Sequence, residues 1–139
     1  MTVMRRGFRR EIDALAEVFR FLEGFVAEAA IGEDVAFTLK LVAEELFTNM
    51  VRHASGGGET IEMSVERSGD ALHLELIDTD VEPFDPESVP APAVEAGIEE
   101  RRPGGLGLYL VQRMVDDLDY DYEPGSRQMR VSVSKRLES

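Results

Sequence analysis

At 139 residues, with 43% hydrophobic and 31% charged side chains, the chain has the length and composition of one globular domain with a sizeable core. No apolar run reaches the roughly 20 residues of a membrane helix. The N-terminus does not read as a signal peptide, and the lack of cysteine excludes disulfides, thiol nucleophiles and Cys-ligated metals and fits a cytoplasmic protein. The formal charge of −13 argues against attraction to nucleic acid and favours a basic partner surface, or a metal ion that neutralises an anionic ligand.

Four arginines, Arg5, Arg6, Arg9 and Arg10, open the chain and read as a solvated terminal segment, not a binding arm. From Arg9 to Ala30, Ile12, Leu15, Ala16, Phe19, Leu22, Phe25, Val26 and Ala29 recur at three- and four-residue steps, which predicts an amphipathic helix that Gly32 ends. A second helix is expected from about Asp34 to Ala54. The period then changes to two. Ile61, Met63 and Val65, a turn at Ser68-Gly69-Asp70, and Leu72, Leu74 and Leu76 predict a β-hairpin with one buried face, its second strand ending near Asp78.

Residues 79–104 hold five of the six prolines and predict a long loop of the kind that is functional or disordered. Leu108, Val111, Met114, Val115 and Leu118 predict a third helix. Tyr120-Asp121-Tyr122, a turn at Pro124-Gly125 and Met129, Val131 and Val133 predict a closing strand or hairpin. Strands cluster without regular alternation with helices, so the expected fold is a single α+β domain over 1–139: a two-layer sandwich with helices on one face of a mainly antiparallel sheet.

Three segments carry candidate chemistry. In the second helix, Glu45 and Asn49 lie one turn apart on one face, with Arg52 continuing the line. A carboxylate and an amide on a largely buried helix require partners. A helix edge or internal hydrogen bonds satisfy them, and so does a hard cation carrying phosphates, with Asn49 as a neutral oxygen ligand and Glu45 handling a proton. Asp78 ends a strand, where its carboxylate is either a turn residue or an acceptor for an exocyclic amine. Pro103-Gly104-Gly105-Leu106-Gly107-Leu108 directly precedes a helix, where free amides attract phosphate oxygens or simply start the helix. His53 and His73 do not suggest a metal centre, and no nucleophile–base motif suggests a hydrolase.

Together, in this order, the three segments resemble the GHKL ATPases, which include gyrase and histidine kinases. Glu45-Leu46-Phe47-Thr48-Asn49-Met50-Val51-Arg52-His53-Ala54 is similar to their N box and Gly104-Gly105-Leu106-Gly107-Leu108-Tyr109-Leu110-Val111 to their G2 box. Asp78-Thr79-Asp80 with Pro83-Phe84-Asp85-Pro86 resembles the G1 box of one branch, the anti-sigma-factor serine/threonine kinases of partner-switching systems. The resemblance spans roughly residues 8–136.

It implies a Bergerat-type ATP fold with residues 79–104 as a nucleotide lid. Carried over by position, Glu45 is the general base toward a Ser or Thr hydroxyl. Asn49 binds Mg²⁺, Asp78 recognises adenine, and Gly105 and Gly107 line the phosphate end. Arg52, His53, Asp80, Gly104, Leu106 and Leu108 complete the boxes around ATP. The implied partners are a STAS-domain antagonist as phosphorylation substrate and a sigma factor or other effector held by the kinase. Members often form homodimers, and neither nucleic acid nor membrane is expected. Asp80 stands where the G1 box has glycine, and one extra residue precedes Pro83. These departures favour an alternative, a sequestering module that binds nucleotide without turning it over.

Overall fold

The computed structural model describes residues 1–53, 58–80 and 111–137. They form a five-stranded sheet, every neighbouring pair antiparallel, with the helices on one face. In chain order the elements are β1 (Thr2–Arg9), a 3-10 turn (Ile12–Ala14), α1 (Leu15–Ala29), α2 (Glu33–His53), β2 (Thr60–Ser68), β3 (Ala71–Asp78), β4 (Asp117–Glu123) and β5 (Gln128–Arg136). Residues 111–114 are also helical. The sheet order is β1-β2-β3-β5-β4. Among the described residues no helix is long and apolar enough to cross a membrane.

The core lies between the helices and the sheet. Ile61, Met63 and Val65 of β2, Leu72, Leu74 and Leu76 of β3, and Met129, Val131 and Val133 of β5 are buried at alternate positions, as a sheet with one covered face requires. Val18, Leu22 and Phe25 of α1 and Val42, Leu46 and Phe47 of α2 meet them. The β2–β3 hairpin turns through Gly69 at φ +63°, a left-handed conformation that glycine adopts without steric cost. Asp78 has the same parity as Leu72, Leu74 and Leu76. It therefore ends an apolar row and faces the helices, opposite Ile61 on β2 and Met129 on β5.

The first ten residues differ from the expectation of a solvated segment. Residues 2–9 form edge strand β1, paired with β2 from Thr2↔Arg67 to Arg9↔Thr60. The alternation is hidden because its inward row is Thr2, Met4, Arg6 and Phe8. Arg6 covers the Phe8 ring, 5.0 Å from its centroid, and pairs with Glu17 at 3.7 Å. An arginine that sets its guanidinium over a ring occupies an inward position of the strand without reading as apolar. Phe8 itself is 1% exposed and packs edge-on against Phe21 and Phe47, with centroids at 5.4 and 6.5 Å.

The first helix also starts later than Arg9. Arg10 donates its backbone N–H to the Glu59 carbonyl at 2.9 Å, and Glu11 is extended at φ −153°, so the backbone becomes α-helical only at Leu15. The helix stops at Ala30, which is left-handed at φ 56°, ψ 49°, two residues before Gly32. The N–H groups of Ala30 and Ile31 both bond the Val26 carbonyl, a helix-ending arrangement of Schellman type. Arg67 closes the same end with bonds to the Ala29 and Ala30 carbonyls at 2.6 and 3.2 Å.

The stripe assigned to a third helix divides. Val111 is fully buried in the helical part, whereas Leu118 lies in β4 beside Tyr120 and Tyr122 on its half-buried side. Periods of 3.6 and 2 share the step from 114 to 118, so spacing alone placed Leu118 on the wrong element.

Candidate functional site

The predicted residues of the second helix all lie on α2, near its C-terminal end. Asn49 is 7% exposed. Its Nδ2 donates to the Glu45 backbone carbonyl at 2.8 Å. That bond commits the amide end of the side chain and leaves the oxygen as the end suited to a donor or a hard cation. Glu45 is half-buried. Burial, reinforced by neighbouring Glu44 and opposed by Arg52, raises its carboxyl above the usual glutamate range. A carboxylate tuned upward in this way is a better proton acceptor near neutral pH than an exposed one. Arg52 is exposed and His53 is the last residue of α2. No group of three or more His, Asp or Glu that would hold a metal by itself occurs among the described residues.

Asp78 is fully buried. A carboxylate with no exposure requires compensation, and it comes from Arg10, whose guanidinium forms an ion pair with Oδ2. The same guanidinium donates through Nη1 to the Met50 carbonyl at 2.6 Å and through Nε to the Gly58 carbonyl at 3.2 Å. Burial pulls the arginine below its ordinary pKa. One side chain thus ties the end of β3 to the C-terminal turns of α2, where Asn49 sits. Asp78 Oδ1 accepts no hydrogen bond among the described residues. A buried acceptor without a donor is costly in a finished core and is what a site for an exocyclic amine requires. The residues present therefore fit an adenine at this position.

The chain leaving β3 is sewn to the start of β2. Gly58 N–H donates to the Thr79 carbonyl at 2.8 Å, and a Cβ on Gly58 would lie 2.7 Å from Thr79 Oγ1, so a side chain here would displace the Thr79 hydroxyl. Asp80 follows with φ 55°, largely exposed and 3.5 Å from Arg127. Asp80 thus keeps the left-handed backbone that the glycine of the resembling box is suited to, at a position asparagine and aspartate tolerate better than most residues.

Glu45, Asn49 and Asp78 are thus placed on two elements joined through Arg10. Gly104, Gly105, Leu106, Gly107 and Leu108, and the loop from residue 81 to 104, lie outside the described residues. Sequence reasoning missed Arg10, Gly58 and Thr79. Nothing local separates Arg10 from the arginines before it, and its α2 and Gly58 partners are 40 and 48 positions away. A groove of about 730 Å³ at the other end of α2, lined by Ala30, Glu33, Asp34, Arg67 and Lys135 among others, includes none of the predicted site residues.

Comparison with known proteins agrees with this fold. The chain is 33% identical over 117 residues to a serine-protein kinase RsbW of Listeria innocua, covering 75% of this chain and 69% of that protein. It is 27% identical over 105 residues to the serine/threonine-protein kinase BtrW of Bordetella bronchiseptica, with 74% and 73% covered. In fold it is similar to a crystal structure of the RsbU and RsbW domains of a Mycobacterium tuberculosis protein. There the TM-score is 0.70 at 14% identity, over 99% of this chain and 33% of that one, so this chain spans a third of that protein's length. A second similar structure is the SiaB–SiaC complex of Pseudomonas aeruginosa, with a TM-score of 0.59 at 16% identity, covering 96% and 89%. Residues 8–135 match the histidine kinase-like ATPase domain, and the chain belongs to that family.

Proposed function

We propose that the chain is an ATP-dependent serine/threonine protein kinase of a partner-switching system, phosphorylating a STAS-domain antagonist and holding a sigma factor or other regulator. The observation that carries the nucleotide site is the fully buried Asp78, whose Oδ1 lacks a donor among the described residues, at the end of an apolar row. The kinase names of the relatives and the upward-shifted Glu45 support phosphoryl transfer over binding alone.

In this reading Asp78 accepts a hydrogen bond from the adenine amine. Asn49 Oδ1 is a Mg²⁺ ligand, and the amides of Gly105 and Gly107 meet the phosphates at a helix start. Mg²⁺ would neutralise developing charge on the phosphates. The substrate hydroxyl oxygen attacks the γ-phosphorus, the bond from that phosphorus to the β–γ bridging oxygen breaks, and ADP leaves. Glu45 takes the hydroxyl proton as the new P–O bond forms. The left-handed backbone at Asp80 supports retention of nucleotide binding despite the missing glycine.

The test is to incubate the protein with Mg-ATP and its cognate STAS protein and read phosphoserine or phosphothreonine by mass spectrometry, with nucleotide titration by calorimetry alongside. Stoichiometric transfer supports the kinase. ATP binding without transfer selects a nucleotide-gated sequestering module, and failure to bind any adenine nucleotide overturns both.

A further inference from the structure

We propose that Arg10 is a positioning residue that sets base specificity: it holds Asp78 as an acceptor-only carboxylate, so that the site takes a 6-aminopurine and rejects a 6-oxopurine. The inference rests on the nucleotide reading above and adds to it a residue outside the three sequence boxes.

Arg10 is built for this task. Its side chain is 13% exposed, and its backbone is fixed through the bond to Glu59. Two of its guanidinium nitrogens are committed to the Met50 and Gly58 carbonyls. A planar fork held on two sides presents its remaining edge in one direction, and that edge meets Asp78 Oδ2. Opposite Asp78 across the sheet stand Ile61 and Met129, neither of them charged. Asp80, two residues on, points to Arg127. Among the described residues, Arg10 is the charged group in contact with the Asp78 carboxylate.

The chemistry of selection follows. An ionised carboxylate only accepts hydrogen bonds, whereas a protonated one also donates. Adenine offers an amine at its 6-position and hypoxanthine a carbonyl oxygen. Oδ1 facing the amine gains a bond. Facing the carbonyl, two buried acceptors confront each other with no proton between them, and mispairing of this kind supports discrimination of about 100-fold or more. Without Arg10 the buried carboxyl has no counter-charge, and burial then favours its protonated form. That form donates to the 6-oxo oxygen, so the discrimination weakens.

Calorimetric binding of Mg-ATP and Mg-ITP to the full chain tests this, since the two nucleotides differ at the 6-position. In the wild type, ATP should bind at least about 100-fold more tightly than ITP, with the same ratio at pH 6 and pH 8. In Arg10→Met, which keeps the buried stem, the ratio should fall at least about tenfold at pH 6 and recover toward pH 8. Arg10→Lys, which keeps the charge and loses the fork, should hold the wild-type ratio at both pH values even if it melts earlier. It carries the test if Arg10→Met does not fold. A collapsed ratio in Arg10→Lys, or a wild-type ratio at both pH values in a folded Arg10→Met, overturns the inference and reduces Arg10 to a tether. A wild type that binds neither nucleotide overturns the functional reading together with this one.

Discussion

Replacing Glu45 with glutamine changes one proton-binding group while keeping the size of the side chain, and the structure assigns opposite signs to its effects on rate and on stability. Burial and Glu44 raise the carboxyl, and Arg52 only partly offsets them. The folded protein therefore holds the Glu45 proton more tightly than the unfolded chain does. Between the ordinary glutamate pKa and the raised one, the native state binds more protons than the unfolded state, so stability falls as pH rises through that window. Below the ordinary value the penalty is absent, and above the raised value it is complete. Glutamine, which cannot ionise, escapes it. Glu45→Gln should thus melt no lower than the wild type near pH 8, and its advantage should vanish under acid conditions. Phosphoryl transfer should fall by about 10²–10⁴, the usual contribution of a general base, or roughly 3–5 kcal/mol of barrier at 1.36 kcal/mol per decade. ATP affinity should stay within a few-fold. Single-turnover transfer and melting curves at two pH values measure both. A transfer rate within fivefold of wild type, or a variant less stable than wild type at pH 8, refutes the assignment of Glu45 as a half-buried base with a raised pKa.

Asp80→Gly should tighten ATP binding by about two- to tenfold in calorimetry, because a negative charge leaves the purine end of the site. Its melting temperature should move little, since relief of the left-handed strain offsets glycine's entropy and the exposed pair with Arg127 contributes at most about 1 kcal/mol. Ala30→Gly should raise the melting temperature by about 2–5 °C, because φ 56° costs alanine more than glycine's added freedom costs the fold. Phe8→Ala should cost about 3–5 kcal/mol in urea unfolding, the range for an aromatic truncated in a packed core. A loss below 1 kcal/mol would mean that β1 is not docked as the Phe8–Phe21–Phe47 contacts show.

Where the period of apolar residues reports burial on one face, the sequence was transparent: the β2–β3 hairpin and its end at Asp78, α2, and the β4–β5 turn all read directly. It failed where a polar side chain takes an inward position. Arg6 on β1 lies over Phe8 and erased the alternation that would have marked the strand. The helical stripe written from Arg9 included Ile12, which is 36% exposed, because the tethering of Arg10 delays the helix. At the candidate site, Glu45, Asn49 and Asp78 could be nominated from the sequence because the boxes put them at fixed local spacings. Arg10 was not, since what distinguishes it from Arg9 is a set of partners on α2, before β2 and at the end of β3.

Arg10 also bears on the electrostatic problem posed by a net charge of −13 in a protein proposed to bind a polyanion. The long-range field repels ATP, so affinity has to come from groups placed close to it, where distance and low dielectric outweigh the distant surface charge. On the proposed reading that work would fall, at the phosphate end, to Mg²⁺ and to backbone amides, neither of which demands a cationic side chain. At the base end the site holds a carboxylate, which adds to the repulsion unless a cation sits behind it. Arg10 supplies that cation at Oδ2. It cancels the charge and, among the described residues, leaves Oδ1 without a donor, so the proposed recognition of the base would not deepen the repulsion that the rest of the surface creates.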